Sequence, residues 1–181
     1  MKKRVDLPEK KYEGYIFDLD GTLVDSMPLH YRAWREALAR AGAPDHVFRT
    51  DEFYSCGGKS ANDVVRFLNE RYGMHMDAES TAADKRRIYL EMLEKEGMQP
   101  IQEVVEFVHS LGDAPKAIAT GSAMPGASRT LAAAGLSGLF DVILTPDEVE
   151  HGKPAPDMFL KAAELLGLSL IHISEPTRLD V

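Results

Sequence analysis

The chain has 181 residues, 44% of them hydrophobic, enough for one domain or for a domain carrying a smaller insertion. Its formal net charge of -8 argues against non-specific nucleic-acid binding, which needs clustered Lys and Arg. A single cysteine, Cys56, excludes an internal disulfide framework and any multi-cysteine zinc site.

The opening Met1-Lys2-Lys3-Arg4 is basic, but Val5-Asp6-Leu7-Pro8 follows instead of an apolar targeting core, so it reads as a solvated tail. No apolar stretch approaches the ~18 residues of a membrane span, and a soluble cytoplasmic protein is expected. Tyr15-Ile16-Phe17 predicts a short buried strand that stops at Asp18-Leu19-Asp20-Gly21-Thr22. Leu29, Ala33, Ala37, Leu38 and Ala41 then mark an amphipathic helix closed by Gly42. Ser60-Ala61-Asn62-Asp63 resembles a capping box opening a helix through Val64, Phe67 and Leu68. A further helix is expected from about Ala82 to Lys95, ending at Gly97, and another where Ile101, Val104, Val105, Val108 and Leu111 recur. Lys116-Ala117-Ile118-Ala119 is a second strand, running into Thr120-Gly121-Ser122. Asp141-Val142-Ile143-Leu144 is a third, and Phe159, Ala162, Ala163 and Leu166 mark a last helix.

Strands alternating with helices imply an α/β fold, a Rossmann-like parallel sheet covered on both faces. Reactive groups of such sheets gather at the carboxyl ends of the strands, where Asp18, Asp20 and Thr120 fall. About a dozen residues suffice to connect parallel strands, yet roughly a hundred separate Asp20 from Thr120. The excess reads as an all-helical cap at residues 28–97, set between core segments 1–27 and 98–168 and poised to act as a lid. Residues 169–181 form a separate tail.

Two carboxylates ~4 Å apart repel by about 4 kcal/mol at an effective dielectric near 20, so Asp18 and Asp20 call for a cation. Magnesium suits all-oxygen ligation and keeps waters for a phosphate to replace. Asp18 could then attack phosphorus in line, while Asp20 protonates the leaving alkoxide and later deprotonates water. The plain alternative is an Asp-rich turn with Gly21 supplying the permissive backbone. Thr120, Gly121 and Ser122 offer a hydroxyl and turn amides to phosphate oxygens, or Ser122 caps the helix through Arg129 and Leu131. Lys153 stands in Gly152-Lys153-Pro154-Ala155-Pro156-Asp157, where two prolines rule out a helix and present the ammonium rigidly. His30 and Trp34, one helical turn apart, could face the cleft below the lid, or be an ordinary surface histidine and core tryptophan. Cys56-Gly57-Gly58-Lys59-Ser60 could bring Lys59 to substrate or be only a glycine-rich turn; its spacing is not that of a P-loop. The six histidines lack metal-ligand spacing, and Lys85-Arg86-Arg87 reads as a solvated helix face.

Asp18-Leu19-Asp20-Gly21-Thr22, the strand-end Thr120-Gly121-Ser122 and Lys153-Pro154-Ala155-Pro156-Asp157, in that order, resemble the haloacid dehalogenase superfamily of phosphohydrolases. Leu23-Val24-Asp25-Ser26 and the helical insertion are similar to its beta-phosphoglucomutase-like branch. The run His30-Tyr31-Arg32-Ala33-Trp34-Arg35-Glu36 looks most like the fructose-1-phosphate and 6-phosphogluconate phosphatases. The resemblance implies Mg2+-dependent hydrolysis of a sugar phosphate through an aspartyl-phosphate. Asp18 would be nucleophile and metal ligand. Asp20 would be acid/base and would bind the metal through its backbone carbonyl. Thr120 with the amides after it would hold phosphate, Lys153 would steady the charge, and Asp25 is left structural. The implied partner is a small phosphorylated metabolite, with no nucleic acid, no membrane and a monomeric chain. A phosphosugar mutase of the same branch is the alternative.

The family continues past its lysine motif with an apolar strand ending in adjacent acidic residues that complete the magnesium site. Here Gly167-Leu168 leads into Ser169-Leu170-Ile171-His172-Ile173-Ser174-Glu175-Pro176, without that pair. Leu170 to Ile173 could form a substitute strand and Glu175 could reach the metal. The tail resembles translated sequencing-adapter read-through, so the expectation is a gene truncated near Leu168 and a chain with the family fold but little activity.

Overall fold

The computed structural model describes residues 12–169. The expectations for residues 1–8 and for 170–181, Glu175 included, lie outside the described residues. Three strands, β1 (Tyr15–Phe17), β2 (Lys116–Ala119) and β3 (Val142–Leu144), pair in parallel in the order β1-β2-β3. Phe17 stands opposite Ile118, and Ala119 opposite Leu144. The helices in chain order are α1 (Met27–Arg40), α2 (Thr50–Ser55), α3 (Ala61–Tyr72), α4 (Ala78–Glu96), α5 (Gln102–Ser110), α6 (Met124–Ala133) and α7 (Asp157–Leu165).

Side chains alternate across the pleat, and each face meets its own helices. Phe17 and Ile118 pack with Val104 and Val108 of α5 and Leu131 of α6. Ala117 and Leu144 pack on the other face with Ala162 of α7. The middle strand β2 is buried throughout, as a parallel strand covered on both faces must be.

Helices α1–α4 form the insertion between β1 and β2. Trp34, Leu38, Phe48, Phe53 and Leu68 build a hydrophobic cluster inside it. Leu29 and Ala33 of α1, with Ile88 and Leu93 of α4, turn the other way and join the cluster on the sheet. Both helices therefore hold the insertion to the core as well as to itself.

Several boundaries differ from those the sequence suggests. Helix α4 starts a turn early because the Asp77 side chain accepts the Ser80 N–H and caps it. At α3, Ser60 accepts the Asp63 N–H as expected, but the Asp63 carboxylate bonds back to the Ser60 hydroxyl, not to its N–H. Only half of a capping box results. Ser122 caps nothing: α6 begins two residues later, after Ala123. The short helix α2 has no long apolar stripe to announce it; Glu52 and Phe53 are its buried residues. Among the described residues no helix is long and apolar enough to cross a membrane.

Candidate active site

Asp18 follows β1 directly, and the chain then folds back on itself. The N–H groups of Leu23 and Val24 both reach the Leu19 carbonyl, and Gly21 bonds to Val24 at a φ of +75°. That left-handed conformation is cheap only for glycine. The turn holds Asp18 and Asp20 at the strand's carboxyl end while Leu19 between them is fully buried. Thr120 ends β2 alongside, with no exposed surface.

Lys153 arrives from the proline-framed loop before α7 and closes the group. Its Nζ lies 3.0 Å from Asp18 Oδ1 and donates to the Ala119 carbonyl at 2.8 Å. Burial pushes the Asp18 carboxyl above the ordinary carboxylate range. Lys153 pulls against that rise, and the charge of Asp20 adds to it.

Asp20 is surrounded by donors. Its Oδ1 accepts from the Ser26 hydroxyl at 2.6 Å and from His30 Nε2 at 2.9 Å. Its Oδ2 accepts from Ser122 at 2.8 Å and, more weakly, from Thr120 at 3.4 Å. Burial alone would raise this carboxyl; the bonds from His30, Ser26 and Ser122 outweigh it and hold Asp20 well below the usual range. Burial, with Lys85 next, lowers the His30 pKa, and Asp20 pulls against that fall. Lys85 Nζ lies 2.7 Å from His30 Nδ1. An ammonium has only protons to offer, which leaves the imidazole proton on Nε2, facing Asp20. Asp20, His30 and Lys85 thus form one buried hydrogen-bonded chain.

Lys85 corrects the sequence reading. It is buried, while Arg86 and Arg87 are exposed. Its place three and four residues before Ile88 and Tyr89, themselves buried on α4, puts it on the inner face of the helix. The stripe Ala82, Lys85, Tyr89, Leu93 was the signal available for it. Ser26, fully buried, carried no such signal beyond its place in the matched stretch.

A cavity of about 1340 Å³ runs from between the insertion and the sheet ends along β1 to Ile16 and Phe107, with Asp18, Lys153, Ser122, Lys59, Trp34 and Tyr89 also on its walls. His30 borders the cleft but spends both ring nitrogens on Asp20 and Lys85. Trp34 is largely buried, edge-on to Phe48, with the Lys85 ammonium 5.5 Å from its ring. Lys59 sits over the Phe67 ring at 4.7 Å. Its loop rests on the core so closely that a Cβ on Gly121 would come 2.6 Å from the Gly58 carbonyl oxygen. Asp25 is exposed, and its N–H donates to the Gln99 carbonyl.

No group of three or more His, Cys, Asp or Glu side chains gathers among the described residues to hold an ion unaided. Lys153 and the Leu19 N–H both engage Asp18 Oδ1, so Oδ2 remains for a cation. The side-chain oxygens of Asp20 are taken, which leaves its main-chain carbonyl. Two protein oxygens fit a magnesium ion that keeps most of its waters and takes a phosphate oxygen.

A parallel α/β core with a carboxylate pair, a hydroxyl and a lysine at its strand ends, under a helical insertion, is a Rossmann-like fold with its reactive groups where such sheets bind ligands. Residues 12–174 match the sequence profile of the haloacid dehalogenase-like hydrolases, and the chain belongs to that family. The fructose-1-phosphate phosphatase of Escherichia coli is 33% identical over 160 residues, covering 88% of this chain and 82% of its own length. A hydrolase from Pseudomonas syringae superposes with a TM-score of 0.76 at 31% identity, over 86% of this chain and 71% of that one. A beta-phosphoglucomutase from Clostridium difficile does so with 0.71 at 25% identity, over 87% and 72%.

Proposed function

We propose that this chain is a magnesium-dependent phosphatase of small sugar phosphates, working through an aspartyl-phosphate on Asp18. The observation that supports this most directly is the 3.0 Å approach of Lys153 to Asp18 beside the buried Thr120. A nucleophile and an ammonium then share one pole of the cleft, with the Thr120 hydroxyl behind them, 3.4 Å from Asp20 Oδ2. Asp18 Oδ2 and the Asp20 main chain would hold the ion, which supplies charge compensation for the phosphoryl oxygens.

In the first half-reaction a carboxylate oxygen of Asp18 forms a bond to phosphorus, and the bond from phosphorus to the ester oxygen breaks. Asp20 passes a proton to the departing alkoxide. In the second, Asp20 takes a proton from water, whose oxygen attacks phosphorus; the acyl–phosphate bond breaks and inorganic phosphate leaves. The hydrogen bonds around Asp20 favour its ionised form and so fit the second half. The first half needs a proton delivered to it, and the His30–Lys85 chain offers a route. Thr120, Ser122 and the amides of the turn would orient phosphate, and Lys153 would balance charge at the nucleophile. Lys59 and the insertion above would enclose the sugar and exclude water.

The test is release of inorganic phosphate from a panel of sugar phosphates, with Asp18→Asn beside the unsubstituted enzyme. Turnover that vanishes with Asp18→Asn and with chelation of the metal supports the proposal; turnover untouched by the substitution refutes it. Isomerisation of beta-glucose 1-phosphate without phosphate release would favour the mutase. The two-donor metal pole favours a second, quantitative reading: weak magnesium binding and low turnover, seen as activity that keeps rising with added magnesium.

A further inference from the structure

Tyr89 has no part in the roles given so far, yet it touches the chain that serves Asp20. Its ring lies flat on the His30 ring, with centroids 4.0 Å apart and planes within 8°. Its hydroxyl is bonded inside the fold to Thr130 Oγ1 at 2.8 Å. Thr130 belongs to α6, a helix packed on the sheet, whereas Tyr89 belongs to α4 of the insertion. One turn earlier on α4, Lys85 reaches the same imidazole at Nδ1, 2.7 Å away. Helix α4 thus holds His30 twice, at Nδ1 by a donor and across one face by a ring.

The second hold reinforces the first. The χ2 torsion of histidine is broad, so the side chain's own preferences do not fix the plane of the ring. A parallel aromatic ring at 4.0 Å restrains it. The plane decides whether Nε2 points at Asp20 Oδ1, 2.9 Å away. The buried bond to Thr130 in turn ties the tyrosine to the core that carries Thr120 and Ser122.

We propose that Tyr89 is a positioning residue for Asp20, acting through His30, with its hydroxyl anchoring that function to α6. The inference rests on the reading of Asp20 as the group that moves protons.

Two esters separate positioning from general damage. A sugar alkoxide needs a proton to leave, whereas nitrophenolate leaves without one. With enzyme in excess, single-turnover release of the alcohol is followed for fructose 1-phosphate and for p-nitrophenyl phosphate. Tyr89→Leu, which keeps bulk and removes the ring, should slow the sugar ester by about tenfold to a hundredfold, and the nitrophenyl ester by less than about threefold. Tyr89→Phe, which keeps the ring and cuts the tie to Thr130, should show the same bias with a smaller loss. In NMR spectra the His30 ring protons, assigned by their absence in His30→Gln, should be shifted upfield in the unsubstituted chain and in Tyr89→Phe, but not in Tyr89→Leu.

Equal losses on both esters in a folded variant overturn the proposal, as does an unshifted His30 signal in the unsubstituted chain. Should Tyr89→Leu fail to fold, the ester bias of Tyr89→Phe decides alone. An unsubstituted enzyme that releases neither alcohol refutes the phosphatase reading itself, a result distinct from equal losses in an active enzyme.

Discussion

Lys85 carries an ammonium into the protein interior, between the rings of Trp34 and Tyr89 at 5.5 and 5.3 Å. Burial pulls its pKa down from 10.5 to about 8, with Asp20 resisting and Arg86 adding to the fall. A lysine whose folded pKa is depressed binds fewer protons folded than unfolded between pH 8 and 10.5. Stability therefore rises with pH through that window. Against Lys85→Met, the unfolding free energy of the unsubstituted chain should improve by up to about 3 kcal/mol between pH 7.5 and 10.5. Urea titrations at the two pH values measure this; a constant difference would mean that Lys85 titrates as if in water. The residue also marks where sequence reasoning ran short. Asp18, Asp20, Thr120 and Lys153 stood out in the sequence because a reactive side chain beside a strand end or just ahead of two prolines is a local pattern. His30 and Lys85 lie 55 positions apart, and only the packing of α1 against α4 makes them partners.

Among the elements, the loop before α3 is seated closely on the core. Gly58, at a φ of +83°, lies on the Lys153 stem, where a Cβ would meet Cδ at 3.1 Å. Its carbonyl faces Gly121 so closely that a Cβ there would stand 2.6 Å away. A methyl at Gly121 meets main chain, which cannot swing aside as a side-chain tip can, so the loop must lift. A lift of about 1 Å over the turn from Thr120 to Ser122 can cost up to about a hundredfold in rate. Gly121→Ala should accordingly lose on the order of tenfold to a hundredfold in kcat/KM while remaining folded. Kinetics with a thermal melt measure both; unchanged kinetics would show that the loop need not sit this close. In the sequence, Cys56-Gly57-Gly58-Lys59-Ser60 reads as a flexible turn with a lysine. What it meets was hidden, because a glycine pair that permits backbone contact looks the same as a glycine pair that only permits turning. Strand and helix types were readable from periodicity. Short α2 and the start of α4 were not, since a six-residue helix and a side-chain cap leave little periodic trace.

At the scale of the whole molecule, the question is whether the insertion folds with the sheet or apart from it. Trp34, the one tryptophan, sits in the insertion's own cluster beside Phe48. Its fluorescence reports that cluster, while far-UV circular dichroism averages over the helices of the whole chain. Helix α1 supplies Trp34 and Leu38 to the inner cluster and Leu29 and Ala33 to the cluster on the sheet. Helix α4 spans the same divide, packing against α1 on one side and α6 on the other. Neither helix can lose one set of contacts and keep the geometry of the other. A single cooperative transition follows, with coincident midpoints for the two probes. Phe48 is fully buried, and Phe48→Ala should cost about 3–5 kcal/mol. Because the clusters share helices, that loss should lower the fluorescence and dichroism midpoints together. If only the fluorescence midpoint falls, the insertion unfolds independently. The seat of Gly58 on Gly121 would then be a docking of two separate bodies instead of a feature of one.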